Sequence, residues 1–184
     1  MSKPDLLIHT AFKLFYEHGI HAVGVNAILA ETGVAKKTLY RHFGSKDALV
    51  EAVLIYRDQV FMDWLTSRMM AAGEGKSAIL ALFDALDDWF HDRVDVLLPF
   101  KGCFFVKVNG EFSNHTVNDL CQKHKQNITS FIQANLVGCS SALAPSDLAQ
   151  SVSVLKEGAI SQAYVAGDLE AAKRAKAMAV ALLG

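Results

Sequence analysis

Cationic side chains are concentrated in residues 33–46. This segment, GVAKKTLYRHFGSK, contains no acidic residue, although the whole chain carries a net charge of -1. Leu39 and Phe43 are four residues apart, so they lie on one face of a helix. The opposite face then carries Lys36, Lys37, Tyr40 and Arg41. A positive helix face favours a polyanionic partner, and a helix of this size fits the major groove of DNA.

Catalytic and metal-binding patterns are missing from the sequence. It contains no nucleophile elbow, no phosphate-binding glycine loop and no His-Glu-x-x-His motif. The cysteines Cys103, Cys121 and Cys139 are far apart and form no Cys-x-x-Cys pair, which predicts free thiols in a reducing cytoplasm. We therefore expect no catalytic residue, no metal and no cofactor.

The composition indicates a folded protein with two differently charged parts. The chain of 184 residues is 52% hydrophobic and 20% charged, which is typical of a globular protein. It has no apolar signal segment at its start and no run long enough to span a membrane, so we expect a cytoplasmic protein. Residues 1–50 carry a net charge of +2 and the rest -3. We predict a DNA-binding domain over 1–46 and a second domain over 47–184.

Hydrophobic periodicity predicts an all-α fold of roughly nine helices. Gly19 is expected to end the first helix, and Ser45 to cap a long fourth helix from Lys46 to about Met70. Ser77 and Ser146 are predicted to begin the fifth and eighth helices, and Asn114 or Thr116 the seventh. The other expected helices cover about 25–32, 35–43, 102–112 and 169–183, and the seventh and eighth reach about Val137 and Ala166.

The first fifty residues resemble the N-terminal domain of TetR-family transcriptional regulators. The matching positions are AFKLF at 11–15, His18-Gly19, Ile28, Gly33-Val34-Ala35, TLYRHF at 38–43, Ser45-Lys46 and Leu49. The resemblance implies an all-α homodimer with an N-terminal helix-turn-helix and a larger C-terminal domain that binds a small molecule. Ser or Thr is common in the family where Gly24 stands, and Gly or Pro where Lys37 stands.

The chemistry of the side chains suggests roles at a DNA surface. Lys36 and Lys37 lie at the start of the recognition helix and could donate to guanine, whereas Arg41 could contact a base or a phosphate. Lys46 is expected to hold a phosphate together with a helix N-terminus. The remaining expected contacts are Gly24 through its backbone, Asn26, and the phosphate donors Thr38, Tyr40 and His42.

The C-terminal part offers candidates for a ligand pocket and a dimer interface. Aromatic residues with a few polar neighbours predict an apolar pocket. Its expected residues are Phe61, Trp64, Trp89, Phe105, Asn109, Phe112, His115 and Tyr164. Apolar stripes on the last two helices predict an isologous four-helix interface. Its expected residues are Leu155, Ala159, Ile160, Ala163, Ala175, Met178, Ala179 and Leu182.

These observations favour a homodimeric DNA-binding transcriptional regulator. The resemblance implies a repressor that binds a pseudo-palindromic operator and is released by a small apolar ligand. Two alternatives remain open at this point. One is a DNA-binding protein without a ligand, and the other is an enzyme that acts on a small apolar compound.

Overall fold

The computed structural model describes residues 1–112 and 115–184, and over these residues the fold is entirely helical. This confirms the predicted fold class. The nine described α-helices, with one short 3-10 helix at Asp95–Leu97, are α1 Lys3–His18, α2 Val25–Thr32, α3 Lys36–Phe43, α4 Lys46–Ala71, α5 Lys76–Phe90, α6 Phe104–Glu111, α7 His115–Ala134, α8 Pro145–Val165 and α9 Ala171–Leu183.

Local sequence signals fix the ends of the first helices. Ser2 and Asp5 form a capping box at the start of α1, and Gly19 ends it with φ +86°. Ser45 Oγ accepts the backbone N–H of Ala48 at 3.0 Å, which confirms the predicted cap of α4. Gly33 ends α2 in the left-handed conformation that glycine adopts without steric cost. These signals place α2 and α3 on either side of a tight turn.

Several predicted boundaries are wrong by one to three residues. Neither Ser77 nor Ser146 caps a helix, because α5 begins at Lys76 and α8 begins at Pro145. A proline fits the first helical position, where its missing N–H is not needed. Helix α7 ends at Ala134 and not near Val137. Asn114, one of the two residues predicted to begin α7, lies outside the described residues.

The described chain divides into two compact units. The first comprises Met1–Gln59 and Phe104–His124, and the second Val60–Cys103 and Lys125–Gly184. The first unit therefore includes α6 and the beginning of α7 in addition to α1–α3 and half of α4. The predicted domain boundary after residue 46 separates a DNA-binding domain from the rest of the chain. This boundary stays a prediction.

The first unit has an aromatic core where α1 and α6 meet. Phe104 packs edge to face on Phe12 with ring centroids 5.3 Å apart, and it contacts Tyr16 at 6.1 Å. The guanidinium of Arg57 lies 5.1 Å from the centre of the Phe12 ring. This packing holds α6 against α1, so the short helix belongs to the same unit as the helix-turn-helix.

The second unit is built around α5, α8 and α9. Helix α9 packs on both of the others. Ala172 and Ala179 are fully buried, and such small side chains allow close approach of helix backbones. Lys176 pairs with Asp84 at 2.6 Å and links α9 to α5 at the surface. Across the described residues, none of the helices is both long and apolar enough to cross a membrane.

Candidate nucleic-acid interface

Helix α3 presents its cationic face to solvent. Leu39 is fully buried in the first unit and anchors the helix, while Phe43 is partly buried on the same side. Thr38 is half-buried at the edge of that face. The exposed side chains of α3 are Lys36, Lys37, Tyr40, Arg41 and His42. These five predicted DNA contacts are therefore accessible to solvent, and their roles stay predictions.

The positive charge of this face is not neutralised within the described residues. Lys36 Nζ lies 6.0 Å from the centre of the Tyr40 ring, a distance at which a cation and a ring attract each other. No described carboxylate pairs with Lys36, Lys37 or Arg41. Such cations can replace the counterions of DNA phosphates.

The beginning of α2 has backbone donors but no capping side chain. Gly24 is the N-cap with an extended backbone, φ -78°, and no side-chain hydrogen bond is made there. The first N–H groups of a helix lack intrahelical partners and favour an anion. Asn26 is exposed in the first turn of α2. This geometry is compatible with the phosphate contact predicted for Gly24 and Asn26.

Lys46 has an internal partner that the sequence did not reveal. Its Nζ donates to the backbone carbonyl of Ile20 at 2.6 Å and lies 5.8 Å from the centre of the Phe15 ring. An ammonium group has three donors, so a phosphate contact by Lys46 stays a prediction. The observed bond adds a structural role, because it ties the start of α4 to the turn after α1.

The same turn is also held by Glu111 from α6. Glu111 Oε2 accepts the backbone N–H groups of Ile20 at 2.8 Å and His21 at 3.0 Å. The His21 ring is stacked on Phe112 with centroids 5.5 Å apart. No spacing rule could have found these contacts, since the partners lie far apart in the chain. They make α6 a support of the helix-turn-helix.

Comparison with known proteins identifies the family. Residues 7–53 match the family model described as bacterial regulatory proteins, tetR family. The crystal structure of SCO4454, a TetR-family transcriptional regulator from Streptomyces coelicolor, aligns with a TM-score of 0.83 and 25% sequence identity. The alignment covers 97% of this chain and 93% of that one. Residues 7–53 are therefore a DNA-binding domain of the TetR type, and the chain shares the fold of a TetR-family regulator.

Curated relatives match mainly through the N-terminal part of the chain. The transcriptional repressor KstR2 of Mycolicibacterium smegmatis is 40% identical over 67 residues, which is 36% of this chain and 31% of that protein. The transcriptional activator FasR of the same organism is 28% identical over 126 residues, covering 64% and 58% of the two chains. The chain thus spans less than two thirds of either relative.

The predicted pocket residues are distributed over both units. Phe61, Trp64, Trp89 and Tyr164 belong to the second unit, and Phe105, Asn109, Phe112 and His115 to the first. Trp89 packs edge to face on Phe61 at 5.6 Å, so these rings fill core space. Asn109 and His115 are exposed. None of these eight residues lines the cavity that the structure has between α7 and α8 in the second unit.

A cavity of about 770 Å³ lies in the second unit between α7 and α8. Its volume falls within the range of small-molecule sites. Most of the lining residues are polar or charged by type, but the surface that they present to the cavity is mainly apolar. The lining residues are Lys125, Gln126, Ile128, Thr129, Ser130, Gln150, Ser153, Val154, Lys156, Glu157, Gly158 and Ser161.

The predicted dimer residues are mostly inside the second unit. Ala159, Ile160, Ala163, Ala175 and Ala179 are buried in the core of the chain itself, so their side chains have no surface left for a partner. The other predicted residues keep some surface, since Leu155 and Leu182 are half-buried and Met178 is 57% exposed. Val154 and Val165 are also exposed on α8, and Val154 lines the cavity between α7 and α8. The interface itself stays a prediction.

One group of potential metal ligands occurs among the described residues. Atoms of Asp87, His91 and Glu170 lie within 4.8 Å of one another. Lys173 Nζ is 2.9 Å from Glu170 and 3.8 Å from Asp87, and Arg93 pairs with Asp87 at 2.7 Å. Because these cations already neutralise the carboxylates, we assign the group as an ion-pair network between α5 and α9.

Proposed function

We propose that this protein is a DNA-binding transcriptional regulator. The observation that carries the proposal is the exposed, unpaired cationic face of α3 within a segment that matches the family model. A helix in the major groove presents its N-terminal residues to base edges, while neighbouring groups hold phosphates. Lys36 and Lys37 would contact bases, and Tyr40 and His42 would contact phosphates. Binding to DNA would require the protein to act in the cytoplasm.

Two copies of the chain would bind one operator. An isologous dimer makes two identical heads related by a two-fold axis, so the operator would be a pseudo-palindrome. Helices α8 and α9 expose apolar side chains that a second copy could cover, among them Val165 and Met178.

We further propose that a small molecule in the cavity between α7 and α8 relieves repression. The mainly apolar surface of the cavity fits an apolar ligand, and Lys125, Gln126 and Thr129 could contact a few polar groups on it. Helix α4 is continuous and contributes to both units, so it offers a path for a change at the cavity to reach the DNA-binding head. Coupling of about 1–3 kcal/mol would lower DNA affinity about 5- to 150-fold.

Selection from random double-stranded DNA tests the proposed function directly. We expect an enriched pseudo-palindrome whose half-sites lie about one helical turn apart. Lys37→Ala should weaken its binding, whereas Lys123→Ala, an exposed lysine on α7, should not. A pool without enrichment, or equal effects of the two variants, would refute recognition by α3. A metabolite library in which no compound weakens operator binding would favour the alternative, a DNA-binding protein without a ligand.

A further inference from the structure

Both polar groups of the Ile20 backbone are bonded to side chains from other helices. Its N–H donates to Glu111 Oε2, on α6, at 2.8 Å. Its carbonyl oxygen accepts a hydrogen bond from Lys46 Nζ, on α4, at 2.6 Å. The Ile20 side chain is buried in the first unit, with 1% of its surface exposed. The turn after α1 is therefore fixed in place by its backbone and by its side chain.

Glu111 contacts this turn through its backbone as well as its side chain. The same Oε2 accepts the N–H of His21 at 3.0 Å. The carbonyl oxygen of Glu111 lies 2.6 Å from His21 Nε2, and since a carbonyl can only accept, Nε2 carries the proton and donates. Two groups of one residue thus bind two successive residues of the turn. This arrangement restricts both the position and the rotation of the turn relative to α6.

The close approach of the carboxylate depends on the glycine that precedes Ile20. A Cβ atom at Gly19 would lie 3.1 Å from Glu111 Oε1, which is closer than an ordinary van der Waals contact. The other oxygen of Glu111 therefore packs directly on the backbone of the turn. Hydrogen bonds to a carboxylate are shorter and stronger than those between neutral groups, so the contact is a firm one.

The turn lies close to the recognition helix in the chain. Helix α2 begins at Val25, and only residues 33–35 separate α2 from α3. Helix α1 packs on both α2 and α3. A shift of the turn would therefore displace Lys36 and Lys37. Contacts to base edges require hydrogen-bond distances, whereas attraction to phosphates acts over about 8 Å at physiological salt, so base contacts are the more sensitive to such a shift.

We propose that Glu111 is a positioning residue for sequence-specific DNA recognition. By holding Ile20 and His21 it sets the orientation of α2 and α3, and it acts through the turn and not by contact with DNA. Its loss lowers the affinity for the operator but not that for unrelated DNA, because the exposed cations of α3 remain. The inference rests on the proposed function, since it requires an operator.

The test measures how strongly each variant prefers the operator. Fluorescence anisotropy gives the affinity for the duplex enriched by selection and for a scrambled duplex, and their ratio measures specificity. Glu111→Asp keeps the charge, but its shorter side chain cannot reach both N–H groups, so we expect the ratio to fall about tenfold. Glu111→Gln loses the charge but keeps an acceptor oxygen, and its ratio should stay within about threefold of wild type.

A matched control separates position from charge. Glu17→Ala removes an exposed carboxylate of α1 just before the same turn, and it should leave the ratio unchanged. Ratios that fall in Glu111→Gln and Glu17→Ala but not in Glu111→Asp would show an effect of charge and overturn the proposal. Unchanged ratios in both Glu111 variants would overturn it too. A wild type that prefers no duplex would refute the proposed function, and the positioning role with it.

Hydrogen exchange shows whether a variant loses the contact or the whole fold. In Glu111→Asp the amides of Ile20 and His21 should exchange faster by NMR, while those of α1 keep their protection. Loss of protection throughout α1 would mean a purely structural role for Glu111. Should that variant fail to fold, His21→Ala decides, because it removes the exposed ring that donates to the Glu111 carbonyl. An unchanged ratio in His21→Ala would then overturn the proposal.

Discussion

Glu111 Oε2 lies 2.8 Å from the backbone nitrogen of Ile20 and accepts its hydrogen bond. The carbonyl oxygen of Ile20 accepts a hydrogen bond from Lys46 at 2.6 Å. The turn between α1 and α2 is therefore held from α6 on one side and from α4 on the other. Since α2 and α3 follow this turn directly, both contacts help to set the orientation of the cationic face.

Removal of the Glu111 carboxylate should destabilise the first unit. In Glu111→Ala the N–H groups of Ile20 and His21 lose a charged acceptor, and we expect the free energy of unfolding to fall by about 1–3 kcal/mol. Urea denaturation measures the change. Glu111→Gln keeps an acceptor oxygen, so we expect its free energy of unfolding to fall by about half as much as that of Glu111→Ala. An alanine variant as stable as wild type would show that the contact does not support the turn.

Removal of the Lys46 side chain should lower the stability of the protein more than removal of the Lys37 side chain. Lys46→Met loses the bond to Ile20 and should lower stability by about 1 kcal/mol. Lys37→Met removes an exposed side chain, so its stability should stay within about 0.5 kcal/mol of wild type. On operator DNA, Lys37→Met should weaken binding by about 1–3 kcal/mol and relax the preference at particular base pairs. Thermal denaturation and fluorescence anisotropy distinguish the two roles, and similar stability losses would contradict them.

Introduction of one charged side chain at the proposed dimer interface tests whether the interface exists. Met178 is 57% exposed and Ile55 is 59% exposed, so glutamate at either position leaves the core of the chain intact. We expect Met178→Glu to weaken dimerisation at least about tenfold, because an unpaired charge would be buried at the interface. Ile55→Glu, on α4, is the control and should remain dimeric. Sedimentation equilibrium at micromolar concentration reports both, and a monomeric wild type would disprove the interface.

Acid should destabilise the protein through Glu157. Burial alone would raise its pKa, but Lys156 and Lys125 lower it from 4.5 to about 2, so its contribution to stability is complete above about pH 4.5 and is lost as the pH falls through about 2. After allowance for solvent screening, we expect about 1–3 kcal/mol of stability to be lost over this window. Urea denaturation between about pH 6 and about pH 2 measures it.

The variant Glu157→Gln supplies the comparison for that pH dependence. It should be less stable than wild type at neutral pH, because Lys125 and Lys156 lose their counterion, and its stability should change less on acidification. Glu74→Gln, in the exposed loop before α5, should follow the wild-type curve. Equal acid sensitivity of all three proteins would mean that the pairs with Glu157 do not stabilise the fold.

Predictions from short-range patterns were mostly correct. The spacing of Leu39 and Phe43 placed the inner face of α3, and Ser45 capped α4 as expected. The pattern was ambiguous where a helix has apolar residues on more than one side. In α8, Ile160 is buried and Val154 is 69% exposed, although either could belong to an interface by composition alone. Which stripe faces inward depends on the helices that pack against it.

The amino-acid sequence by itself determined the helical fold class, the helix-turn-helix and the cationic residues of α3. These features depend on periodicity, caps and glycine turns, which act over a few neighbouring residues. Only the tertiary structure decided that Glu111 supports Ile20, that Cys103 lies beside Lys125 and Glu157, and which sides of α8 and α9 are exposed. Such contacts join residues far apart in the chain, and their geometry is set by the packing of whole helices.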